Sequence, residues 1–144
     1  MQIQRVNRTD ADKVFVNFRN MSGSGISANE GACYDLGTTV DGISAVSPVA
    51  ASFLGWIGIA AEDVADTEYG RTQIFGYRDS ILLSHEGTSV TVTIGNAMHL
   101  VTGANGLNTS TAEALSTCGY KYVICAATTT ISAAAYCKGV IRCL

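Results

Sequence analysis

The chain has 144 residues, of which 47% are hydrophobic and 15% charged, and its formal net charge is −3. That length suits one domain with a core of its own, and that composition excludes disorder away from the ends. The nine basic residues are dispersed from Arg5 to Arg142, so no basic stripe is there to neutralise a phosphate backbone, and nucleic acid is excluded as a partner.

Residues 1–12 are polar and mixed in charge, with neither an apolar run nor a small-residue cleavage site. They read as an extended N-terminal arm rather than a signal peptide, and a single β domain is expected over 13–144. Within the arm Ile3 alternates with Gln2 and Gln4. An extended segment of this kind is tied down by adding to a sheet edge of a neighbouring subunit.

Lys13 to Phe18 predicts a first strand with Val14, Val16 and Phe18 on its inner side, closed by the glycine-rich turn Met21 to Gly25. A second strand is expected from Gly31 to Leu36, and Asp41-Gly42 marks a turn. The one proline, Pro48, assigns Ile43 to Ala51 to an edge or a loop. Leu54 to Ala61 is the most apolar strand, and Gly55 and Gly58 bare the backbone beside Trp56, so that tryptophan is expected in the core. The apolar run around it is far shorter than the roughly 20 residues of a membrane-spanning helix, which leaves no role for a membrane.

After the acidic stretch Glu62 to Glu68, Arg71 to Phe75 and Asp79 to Ser84 predict a strand pair broken at Gly76. Thr88 to Ile94 alternates cleanly, placing Val90, Val92 and Ile94 inside and Thr91 and Thr93 outside. Gly103 to Ser110 reads as a loop by composition, and Ser110 with Glu113 could cap one helical turn. Strands are expected again over Tyr120 to Thr128 and Ser132 to Cys143. The core should then hold Val14, Val16, Trp56, Ile57, Ile59, Ile74, Val90, Val92 and Ile94. Short strands, turns rich in glycine and no long amphipathic helix define an all-β fold, a small antiparallel β-barrel or sandwich.

Chemistry is scarce in this sequence. Ser84, His85 and Glu86 are the residue types of a catalytic triad, but consecutive residues of a strand point to opposite faces and cannot converge on one atom. His99 has no second ligand at metal spacing, and Glu62, Asp63, Asp66 and Glu68 lack the order of a calcium loop. No catalytic residue, metal site or cofactor is assigned. The five cysteines, Cys33, Cys118, Cys125, Cys137 and Cys143, are odd in number and form no CxxC pair. Buried free thiols are expected, with Cys137 and Cys143 on the same strand face as Ile131 and Ile141; a single late disulfide is the alternative. Ala126 to Ala135 carries no charge, so it is either an interior strand pair or an exposed adhesive patch.

The segment Phe53 to Ser84, FLGWIGIAAEDVADTEYGRTQIFGYRDSILLS, resembles the central part of bacteriophage head decoration, or capsid cement, proteins. The likeness lies in a GxA strand, an acidic turn and a GxxQxxG strand in succession, and GACYDL from Gly31 is similar to the strand that precedes them. The resemblance implies a non-enzymatic virion protein, synthesised in the host cytoplasm and bound to the capsid exterior. It would bridge major capsid protein subunits, as a homo-oligomer (dimer or trimer). Gln2, Ile3, Gln4, Arg5, Val6 and Arg8 are the expected capsid-binding residues, with Arg5 and Arg8 meeting acidic groups. A tail- or fibre-associated β module and a small carbohydrate-binding module are the alternatives.

Overall fold

A computed structural model describes residues 12–37, 41–48, 55–84, 90–101, 104–109, 122–131 and 133–143. Every regular element in them is a strand: β1 (Val14–Asn20), β2 (Gly31–Tyr34), β3 (Ser44–Val46), β4 (Trp56–Ala60), β5 (Tyr69–Leu83), β6 (Val90–Val92), β7 (Ala97–Val101), β8 (Ala104–Thr109), β9 (Tyr122–Cys125), β10 (Thr129–Ile131) and β11 (Ala135–Arg142). The all-β expectation holds. The sheet is mixed rather than purely antiparallel, because β1 pairs with β3, and β5 with β8, in parallel.

Nine strands join in the order β1-β3-β2-β4-β5-β11-β9-β7-β8, with further pairings of β5 to β1 and to β8. These extra pairings close the sheet on itself twice. One circuit runs β5-β1-β3-β2-β4 and returns to β5, and the other runs β5-β11-β9-β7-β8 and returns to β5. Closure removes exposed edges, the usual weakness of a sheet. The strands β6 and β10 form a separate two-stranded ribbon.

The hinge between the circuits is β5, one strand of 15 residues and not the expected pair. Gly76 kinks it without breaking it: its φ of +101° is open to glycine, and a Cβ there would strike the Asp12 carbonyl. The ladder to β11 continues through the kink, with Ile141 opposite Gly76. Gln73 bridges it from one side, donating from Nε2 to the carbonyls of Phe75 and Tyr77, both at 3.2 Å.

Trp56 is fully buried and donates from Nε1 to the Gly58 carbonyl at 3.0 Å. Gly58 is required by its neighbour, since a Cβ on it would collide with the Gln73 carbonyl. Val16, Ile57, Ile59, Ile74 and Val92 pack in or against the core as expected. Two expected core residues do not. Val14 is 41% exposed, because the β1–β5 register shifts between Val14 and Phe15 and the strand end runs off the core. Ile94 is 64% exposed, because β6 stops at Val92 and Thr93 to Asn96 already form the turn, closed by Asn96 N–H to the Thr93 carbonyl at 2.9 Å. Gly95, with φ +86°, supplies the left-handed third position of that turn. The side chain of Val90 lies outside the described residues, as do Cys118 and the Ser110 to Glu113 cap.

Within Gly103 to Ser110, expected as a loop, Ala104–Thr109 form β8 instead. Its Gly106 marks a close approach of chains and not a turn: a Cβ there would meet the Ser84 and Leu83 backbone, and Ser84 N–H reaches the Leu107 carbonyl at 2.8 Å. Cys33, Cys125, Cys137 and Cys143 are buried thiols, as expected of cysteines packed as small hydrophobes.

Candidate functional site

Among the described residues, those singled out in the sequence do not converge. Ser84 is at the edge of burial, while His85 and Glu86 lie outside the described residues. His99 is buried on β7, opposite Asn108 of β8. The acidic stretch clasps a neighbouring loop. Asp63 accepts from Ala28 N–H at 2.7 Å, Asp66 from Gly23 N–H at 3.0 Å, and Val64 exchanges backbone hydrogen bonds with Ile26 at 2.8 and 2.9 Å. Among the described residues no three His, Cys, Asp or Glu side chains gather as metal ligands. No helix among them is long and apolar enough to cross a membrane. Gln2, Ile3, Gln4, Arg5, Val6 and Arg8 lie outside the described residues.

Two surfaces stand out instead. The first is the ribbon of β6 and β10 with its flanking turns. Thr91 and Thr130 face each other across it, their hydroxyl oxygens 3.0 Å apart, and Ile94 N–H donates to Thr128 Oγ1 at 3.3 Å. Thr93, Ile94, Ala126, Thr128, Thr130, Ala133 and Ala134 are exposed, while Val92 and Ile131 turn inward. Within Ala126 to Ala135 the structure exposes Ala126, Thr128, Thr130, Ala133 and Ala134 and buries Ile131. No charged side chain falls within 91–96 or 126–135, so this face carries little to hold a solvation shell.

The second is a solvent-open groove of about 370 Å³ beside the kink of β5. Lys13, Phe15 of β1, Asn29 and Ala61 form one part of its wall, and Arg71, Gln73, Arg78, Asp79 and Ser80 of β5 form the rest. Pairing of Phe15 with Gln73 and of Asn17 with Arg71 brings these distant positions together. Nothing in the sequence marks them, because Lys13, Arg71 and Arg78 are separated along the chain and converge only through the β1–β5 register.

Arg78 is the centre of the groove's wall. Its Nε donates to Asn29 Oδ1 and the Ser80 carbonyl, both at 3.0 Å; Nη2 donates to Asn29 Oδ1 at 2.6 Å and the Ala60 carbonyl at 2.9 Å; Nη1 reaches Gln73 Oε1 at 3.4 Å. Every one of these acceptors is neutral. Burial holds the guanidinium below its ordinary pKa, with no acid offsetting that shift. Asp79 accepts a hydrogen bond from Tyr77, which holds that phenol above its usual range. Arg71 meets Glu62 at 3.3 Å on the surface, a pair of little net energy, and lies over the Phe15 ring at 5.9 Å.

Deeper in the second circuit, Cys137 Sγ lies 3.8 Å from Met98 Sδ. Burial, and then the neighbouring Cys125, push the Cys137 thiol up to about 12, far from a reactive thiolate.

Taken together, the described residues define an all-β chain with a closed mixed sheet, one uncharged exposed ribbon and one cation-lined groove. No protein-family model matches the chain, and no curated protein is found similar to it.

Proposed function

We propose that this protein is a non-enzymatic virion structural protein that binds the outer surface of a phage capsid and bridges major capsid protein subunits. The observation that carries the reading is the exposed, uncharged threonine and alanine face of the β6–β10 ribbon. A face of methyl and hydroxyl groups is better suited to a lasting protein contact than to facing water. The resemblance to decoration proteins adds support, because its segments are contiguous in space: β2, β4 and β5 are consecutive in the sheet order. The terminal arm, with Arg5 and Arg8, supplies a second attachment by adding to a neighbouring sheet edge.

Binding only the mature lattice stabilises that lattice by linkage, and many modest contacts repeated over a head add through avidity. The test is cosedimentation of the purified protein with expanded, undecorated heads of the same virus, beside a glycan-binding assay. Saturable binding to expanded heads and none to glycans is expected. Glycan binding without head binding overturns the reading in favour of a carbohydrate-binding module.

A further inference from the structure

The groove beside the β5 kink is built around a charge without a counter-charge. Arg78 is half-buried and fixed by hydrogen bonds to the carbonyls of Ala60 and Ser80 and to the Asn29 and Gln73 amides, so its orientation is set before any ligand arrives. A guanidinium has five N–H donors. The single N–H on Nε is shared by two acceptors and both on Nη2 are used, while Nη1 makes one long contact. One N–H of Nη1 is left for an incoming acceptor. Lys13 adds positive charge at the rim, as does Arg71, whose Nε meets Glu62 at 3.3 Å, and Asp79 lines the groove.

We propose that this groove is a carboxylate-binding site that takes a glutamate side chain from an extended segment of a protein partner. The partner rests on the reading of the protein as a subunit-binding virion component. Three features favour a glutamate over an inorganic anion. The surplus of charge is small, which matches a monoanion, and a phosphate dianion would be repelled by Asp79. The exposed Phe15 ring and Ala61 offer an apolar wall that suits the methylene stem of glutamate. Asn29 and Ser80 supply neutral polar groups for the peptide backbone beside it. The charge-assisted bond to a pre-oriented guanidinium then provides the specificity.

The test uses the intact protein labelled with 15N and no capsid, so its result is independent of head binding. Three probes are titrated: the capped tripeptide Ala-Glu-Ala, its Ala-Gln-Ala counterpart, and inorganic phosphate. Saturable shifts of the Arg78 and Arg71 Nε–H signals and of the Ser80 amide are expected with the glutamate peptide. The glutamine peptide should bind about tenfold more weakly or worse, the loss expected for removing a charge-assisted bond, and phosphate should also be weaker than glutamate. Arg78→Lys should lose at least about tenfold, because an ammonium cannot reproduce the planar fork. Since Arg78 also ties strands together, the exposed pair Lys13→Ala/Arg71→Ala is measured beside it, with an unchanged melting temperature and about threefold weaker binding expected from lost rim charge. Equal binding of the glutamine peptide, tighter binding of phosphate, shifts that do not saturate, or a rim variant that binds as well as the parent overturns the proposal.

Discussion

The two circuits that share β5 are held in different ways. In the circuit of β1 to β4 the large side chains Trp56, Phe18 and Ile59 are surrounded by buried polar anchors. Asn20, with no exposure, donates to the carbonyls of Ser24 at 2.7 Å and Val64 at 2.9 Å and accepts from Ser22 N–H at 3.0 Å. Arg78 and Gln73 play the same part around the kink. In the circuit of β7, β8, β9 and β11 the interior is mainly Ile81, Leu83, Met98, Leu107, Val123, Cys125, Cys137 and Ile141, aliphatic and sulfur-bearing groups of moderate size, and β7 also buries His99. One half is specified by directional bonds, which fail if a partner is lost. The other is specified by volume, which tolerates exchange of similar shapes.

The largest effect should come from Trp56→Ala, with a loss of about 3–5 kcal/mol from transfer energy and the cavity left behind, read from chemical denaturation. Asn20→Ala should follow at about 1–3 kcal/mol, because it leaves the Ser22 N–H without its acceptor and takes one of two donors from each of the Val64 and Ser24 carbonyls. If Asn20→Ala costs no more than an average surface change, the anchored half is not anchored. In the other circuit Leu107→Met, a swap of similar volume at a fully buried site, should cost less than about 1.5 kcal/mol with an unchanged denaturant slope. A cost near that of Trp56→Ala would erase the distinction between the halves.

The smallest effect should be a gain. Thr72 on β5 is fully buried and its Oγ1 has no hydrogen-bond partner. Thr72→Val keeps the shape and removes the unsatisfied hydroxyl, so stability should rise by about 1 kcal/mol. A lower melting temperature would mean that the hydroxyl makes a bond after all.

How much of this was legible in the sequence depends on the range of the interaction. Local alternation found the strands from Lys13, Gly31, Leu54 and Ser132 within a few residues, and the apolar run with bare glycines placed Trp56 correctly. Glycine was misread where its reason was a distant chain: at Gly76 it permits a kink against Asp12, and at Gly106 a close approach to Leu83, and neither neighbour is local. Val14 and Ile94 followed a perfect alternation that a register shift and an early turn interrupted. The groove was illegible for the same reason, since the convergence of Lys13, Arg71 and Arg78 exists only in the β1–β5 pairing. The uncharged run from Ala126 was visible, and only the fold could decide which way it faced.

The reading as a capsid-bound protein is tested most directly by reconstruction of expanded heads incubated with the purified chain. Density for the β domain is expected on the capsid exterior across neighbouring major capsid protein subunits, with the β6–β10 ribbon at the contact and Gln2 to Arg8 extended along a partner sheet edge. Density confined to the tail or fibres, or heads that remain bare at saturating protein, would contradict it.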